Sequence, residues 1–140
     1  MGVSGWKLIV MSLVLGPGVA GCSADGRYVI IGTARAQSAS GTIEVDELDA
    51  GSTQVSIHLE HLYPPNRLGR NLVRYGVWFV PPTGTPVYGG DLKFDREERT
   101  GDLTATSPFR RFKVRITGEA QERASAPSPN EIASQEIALD

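Results

Sequence analysis

Gln54-Val55-Ser56-Ile57-His58-Leu59-Glu60 alternates polar and apolar residues without a break. A period of two is the mark of a strand with one face in a core and one in solvent; an amphipathic helix would repeat every 3.6 residues. The alternation predicts a strand over Gln54 to Leu62, with Val55, Ile57 and Leu59 inward and Gln54, Ser56, His58 and Glu60 outward.

Working outward, the same period recurs on both sides. Thr42 to Leu48 places Ile43 and Val45 on one face and Glu44 and Asp46 on the other, before a turn at Asp49-Ala50-Gly51-Ser52. Downstream, Pro64-Pro65-Asn66 breaks the pattern, and residues 63–71 read as a loop with room for one helical turn. Leu72 to Val80 is the most apolar stretch, with Val73, Tyr75, Val77 and Phe79 in one frame and Arg74, Gly76, Trp78 and Val80 in the other. The first frame has the better apolar count and is expected inside, which turns Trp78 and Val80 outward. Pro86 to Phe94 reads as a weaker strand bent or bulged at Gly89-Gly90. Further strands are expected at Asp102 to Thr106, at Phe109 to Thr117 with Phe112, Val114 and Ile116 inside, and at Glu131 to Leu139. Tyr28-Val29-Ile30-Ile31 reads either as a first strand or as part of a tether over residues 23–41.

About seven short strands separated by turn signals, in a chain of 140 residues with 16 glycines and 9 prolines, predict one all-β antiparallel sandwich. The strand set from residue 42 onward also resembles the immunoglobulin-like β-sandwich in the periplasmic parts of some anti-sigma factors and related bacterial envelope proteins. The resemblance rests on Tyr75-Gly76-Val77-Trp78-Phe79-Val80, Gly90-Asp91-Leu92, Phe112 to Glu119 and Pro127. It implies an immunoglobulin or fibronectin-III-like domain over residues 42–140. It does not extend to the anti-sigma function, for which this sequence offers neither a sigma-binding segment nor a spanning helix.

The start of the chain reads as an address. Lys7 supplies a positive charge, Leu8 to Leu15 an apolar run interrupted by Ser12, and Gly16-Pro17-Gly18 a stop. The run falls well short of the ~20 residues that span a bilayer, so a secretory signal peptide over residues 1–21 is expected. Val19-Ala20-Gly21-Cys22 resembles the lipobox of bacterial lipoproteins, with Val19 where Leu is commoner. That resemblance implies cleavage before Cys22, a diacylglyceryl group on its thiol and a palmitate-type acyl chain on its amine. It also implies anchorage to a membrane of the bacterial cell envelope. Ser23 rather than Asp after the Cys favours the outer membrane. Residues 22–41 would then hold the lipidated N-terminus and a tether or first strand.

The remaining chemistry is sparse. A net charge of -2, or -3 once Lys7 is removed, argues against a nucleic-acid partner. One cysteine excludes an internal disulfide, and two histidines with that cysteine fall short of a zinc ligand set. No metal, cofactor or catalytic residue is therefore expected. Two arrangements could still carry an alternative reading as a small envelope enzyme or a ligand or metal carrier. One is His58 with Glu60 on a shared strand face; the other is the acidic hairpin Asp91, Asp95, Glu97, Glu98 and Asp102. Ser56 shares the face of His58 but lies in no nucleophile elbow. Arg111, Lys113 and Arg115 form a basic stripe on one sheet face, open to anionic lipid or glycan or else paired with acids on the next strand. The favoured reading is a non-catalytic interaction or structural module. Its candidate surface is Trp78, Val80, Arg111, Lys113 and Arg115, and its partner an envelope protein or glycan.

Overall fold

The structure, a computed structural model, describes residues 26–139; the expected signal peptide and Cys22 lie outside the described residues. The described chain forms nine strands: β1 Gly26–Ile31, β2 Ser40–Glu47, β3 Thr53–Glu60, β4 Arg74–Val80, β5 Val87–Asp91, β6 Lys93–Asp95, β7 Thr100–Ser107, β8 Arg111–Glu119 and β9 Glu131–Ala138. One helical turn, α1 Pro65–Leu68, sits in the connection that the two prolines mark. No helix among the described residues is long and apolar enough to cross a membrane.

Two antiparallel sheets face each other, β1-β2-β3-β7-β6 and β9-β8-β4-β5. The order β2-β3-β7-β6 against β9-β8-β4 is the A-B-E-D against G-F-C arrangement of an immunoglobulin constant-type sandwich. β1 and β5 extend one edge of each sheet, which accounts for nine strands against an expectation of about seven. Tyr28 to Ile31 is thus a true strand, paired with β2 from Gly26 opposite Val45 to Ile31 opposite Ser40. The free side of β1 is drawn toward β9 by a bridge between Gly32 and Ala133 and by the hydrogen bond from Thr33 N to Ile132 O, 2.7 Å.

The expected Pro86 to Phe94 strand divides at Leu92. β5 stays with β4 while β6 joins β7 in the opposite sheet. Gly89 is the extra residue of the bulge, between Gly90 opposite Val77 and Tyr88 opposite Trp78. A Cβ on Gly89 would lie 2.7 Å from the Phe79 ring, and Gly90 has φ +138°, so both positions require glycine.

The core lies between the sheets. Val55, Ile57, Leu59, Val77, Phe79, Phe112, Val114 and Ile116 are all buried, as the alternation predicts. Phe79 and Phe112 meet edge to face at 5.5 Å. Tyr75 is also buried; its hydroxyl donates to the carbonyl of Tyr63, and desolvation pushes its phenol pKa up. Val73 is the exception to the expected core, at 51% exposed. β4 begins one residue later, and a turn that bonds Leu72 N to Gly69 O delivers Leu72 to the interior instead. Leu72 packs on bare Gly118, where a Cβ would lie 2.7 Å from its Cδ1.

Two substitutions separate these sites. Leu59→Ala should cost about 2 to 5 kcal/mol, a large part of the 5 to 15 kcal/mol typical of a domain. Val73→Ala should change stability by no more than about 0.5 kcal/mol. Denaturant unfolding of both variants checks the pair; a Leu59→Ala midpoint at the wild-type value would contradict the strand frame.

Candidate functional site

β4 and β8 are adjacent, and their register sets Trp78 opposite Arg115 and Val80 opposite Lys113. Alternation puts Trp78, Val80, Arg111, Lys113 and Arg115 on the outer face of the four-stranded sheet, so the five expected surface residues do share a face. Their exposure differs from expectation. Trp78 is only 2% exposed although it lies outside the core between the sheets. A second layer covers it. Tyr88 packs edge to face on its ring at 4.8 Å, and Arg74, Arg123 and Ala124 close around it. Gly76 provides room for that layer, because a Cβ there would lie 3.0 Å from Tyr88 and 3.1 Å from Glu119. The expectation of an exposed Trp78 is therefore corrected: the connection between β8 and β9 folds back over the sheet.

Glu119 holds that cover in place. Its carboxylate is 2% exposed and accepts from Trp78 Nε1 at 3.2 Å, from Ser128 N at 3.1 Å and from the Thr117 hydroxyl. Ser128 Oγ donates to Gly118 O at 2.6 Å and accepts from Asn130 N at 3.1 Å. Arg74 donates to the carbonyls of Ala120 and Gln121. Three converging donors compensate a carboxylate that would otherwise be costly to bury. Alternation sets Glu119 on the same face as Thr117 and Arg115, but nothing in the sequence marks it as a buried acid.

Arg115 Nε lies 2.7 Å from Glu131 Oε1 on the neighbouring strand. Arg110, beside the stripe, pairs with Glu47 of the other sheet. Arg111 and Lys113 line a concavity of about 650 Å³ with Val80, Pro81, Pro82 and Glu136. Lys113 stands directly across from Glu136.

The His58–Glu60 pair and one member of the acidic hairpin, Asp102, meet on the outer face of the five-stranded sheet. His58 is opposite Asp102 in register. Its Nδ1 is 2.6 Å from Asp102 Oδ1 and its Nε2 is 3.2 Å from Glu60 Oε2. Both ring nitrogens thus face carboxylates, which favours the imidazolium. Asp102 raises the His58 pKa above its ordinary 6.5, partial burial opposes, and Glu60 adds a smaller increase. Ser56 is occupied differently: its Oγ lies 3.3 Å from Thr104 Oγ1, so it is not aligned with the imidazole. A shallow depression of about 210 Å³ passes over Thr42, Ser56, His58, Asp102 and Thr104. The rest of the acidic hairpin disperses. Asp91 stays with Tyr88 and Arg74 on the other sheet, and Asp95 caps a turn by accepting from Glu97 N and Glu98 N, each at 2.9 Å. Among the described residues no three His, Cys, Asp or Glu side chains are placed to hold a metal ion. His61, with φ +59°, has turned out of the strand.

No protein-family model, curated protein or solved structure matches the chain.

Two measurements check this geometry. In a Trp6→Phe background Trp78 is the sole tryptophan, and its emission should be blue-shifted and resistant to aqueous quenchers. Adding Glu119→Ala orphans three buried donors and should cost at least about 2 kcal/mol and shift that emission to the red. For His58, the raised folded pKa means that the interaction stabilises fully below the unfolded value of 6.5 and is lost as pH rises through the folded value. The side chain is 43% exposed, so solvent screening holds the effect below about 1 kcal/mol. An NMR titration should place the midpoint above 6.5 and show it falling in Asp102→Asn.

Proposed function

We propose that this chain is a lipoprotein of the bacterial cell envelope. It is anchored through acylated Cys22, with the outer membrane favoured, and its β-sandwich serves as a non-catalytic interaction or structural module. The reading is carried by one juxtaposition: Cys22, behind a charge, an apolar run and two small residues, stands four residues before the first strand at Gly26. A signal peptide cleaved there would leave the sandwich intact. The domain supports a module rather than a carrier in two ways. Among the described residues its core is packed with side chains from both sheets, and the concavities beside Pro81 and over His58 open to the surface. Immunoglobulin-type sandwiches present end loops and sheet edges to partners. Here the connections 61–73, 96–99 and 120–130 gather at one end, where a protein or glycan would be met.

The second reading, a small enzyme or ligand carrier, is favoured by the meeting of His58, Glu60 and Asp102. It is weakened by the same contacts, because a general base needs a ring nitrogen open to its substrate.

Cys22→Ala in the full chain is expected to abolish lipid incorporation and shift the protein out of the detergent phase. Unchanged incorporation of labelled fatty acid into the variant would refute the anchor.

A further inference from the structure

Tyr63 lies near the start of the connection 61–73, and its ring carries two guanidinium groups. The Arg67 Cζ lies 5.4 Å from the ring centroid and the Arg99 Cζ 4.9 Å. Both distances are within cation–π range. Arg67 comes from α1 and Arg99 from the turn between β6 and β7, so two connections meet on one aromatic side chain. Both arginines are exposed, and among the described residues no carboxylate lies within ion-pair distance of either.

Several contacts fix this junction. The Tyr63 carbonyl accepts from the buried Tyr75 hydroxyl, which ties it to the core. Pro64 and Pro65 restrict the chain that follows. Leu62 N donates to Arg99 O at 2.9 Å and joins the two connections. His61 and Arg99 have φ +59° and +61°, and among the described residues no other non-glycine has a positive φ. A side chain in this left-handed region is strained and stays there only where its surroundings hold it. Both strained positions fall at the junction that places the paired guanidiniums.

The surrounding charge narrows the ligand. The connection 61–73 holds Arg67 and Arg70 and no acid. Glu60 faces His58, and Asp95 accepts from two backbone N–H groups, so both are engaged elsewhere. Glu97 and Glu98 are exposed in the same turn as Arg99. They would repel a polyanion spread across this end, such as an acidic glycan chain or an anionic lipid surface. A discrete pair of carboxylates can reach the guanidiniums without covering that turn. Carboxylates two residues apart in an extended peptide stand about 7 Å from each other. The two guanidinium carbons are at most about 10 Å apart, since each is held near one ring centre. Arg–carboxylate pairs are charge-assisted and bidentate, and Arg and Tyr are enriched at protein-binding hot spots.

We propose that Arg67 and Arg99, held on Tyr63, form a clamp for an acidic segment of a partner protein and engage two of its carboxylates. The clamp rests on the interaction-module reading above and states the partner's chemistry.

The test uses the full chain, isotope-labelled and held in nonionic detergent. The probe is the peptide acetyl-Glu-Ala-Glu-amide, and the readout is the arginine Nε–Hε NMR signals. Saturable shifts at Arg67 and Arg99 are expected, without matching shifts at Arg70 and Arg96. Arg67→Gln and Arg99→Gln should each weaken binding by roughly threefold, with the remaining amide spectrum unchanged as the check on folding. No saturable shift, equal shifts at Arg70 and Arg96, or an unaltered affinity in the double variant overturns the clamp and leaves the module reading standing. Tighter binding of oligogalacturonate than of the peptide overturns the protein partner in favour of a glycan. A peptide recovered chemically altered overturns the non-catalytic reading instead.

Discussion

A strand buried on both faces has to be covered twice, and β4 is such a strand. Tyr75, Gly76, Val77, Trp78 and Phe79 are all buried in succession. The inner side chains are satisfied by the opposite sheet, as in any sandwich. The outer face has no third sheet to meet it, so the chain between β8 and β9 must return across it. Glu119 makes that return hold by gathering an indole N–H, a hydroxyl and a backbone N–H around one carboxylate. Gly76 matters for the same reason, since a side chain there would collide with the covering Tyr88 and Glu119.

Covering one face in this way divides the surface of the four-stranded sheet. The half near Arg74 and Glu119 is closed by loop and aromatic side chains. The half near Val80, Arg111 and Lys113 stays open as a shallow shelf. The five-stranded sheet behaves differently. Its outer face carries Thr42, Ser56, His58, Asp102 and Thr104, polar groups that pair across strands without a covering layer. There the apolar exceptions are Val29 and Ile31 on the edge strand, each 65% exposed.

Connectivity explains why acids close in sequence end far apart. Asp91 closes β5 in one sheet, Leu92 makes the crossing, and Asp102 lies on β7 in the other. The hairpin that looks like one acidic cluster is therefore split between sheets. One of its members joins a histidine 44 residues earlier in the chain. That pairing is a cross-strand contact, which depends on which strands are neighbours rather than on spacing along the chain.

Local sequence was enough to determine the all-β class and the inward frame of β3, β4 and β8, because a pleat assigns faces by alternation, while the prolines marked the break at Pro64-Pro65 and the glycines the bend or bulge at Gly89-Gly90. It also determined that Trp78, Val80, Arg111, Lys113 and Arg115 share a face. It misplaced Val73, since a turn just before a strand rotates the chain out of the pleat's phase. What only the tertiary structure decided is what lies over each outward face. Trp78 is dry and Val80 half-open on one strand, and the difference comes from Glu119 at the end of β8 and Ser128 in the connection beyond it, roughly 40 to 50 residues downstream. Alternation states which way a side chain points; whether it finds water there depends on long-range packing that no local pattern encodes.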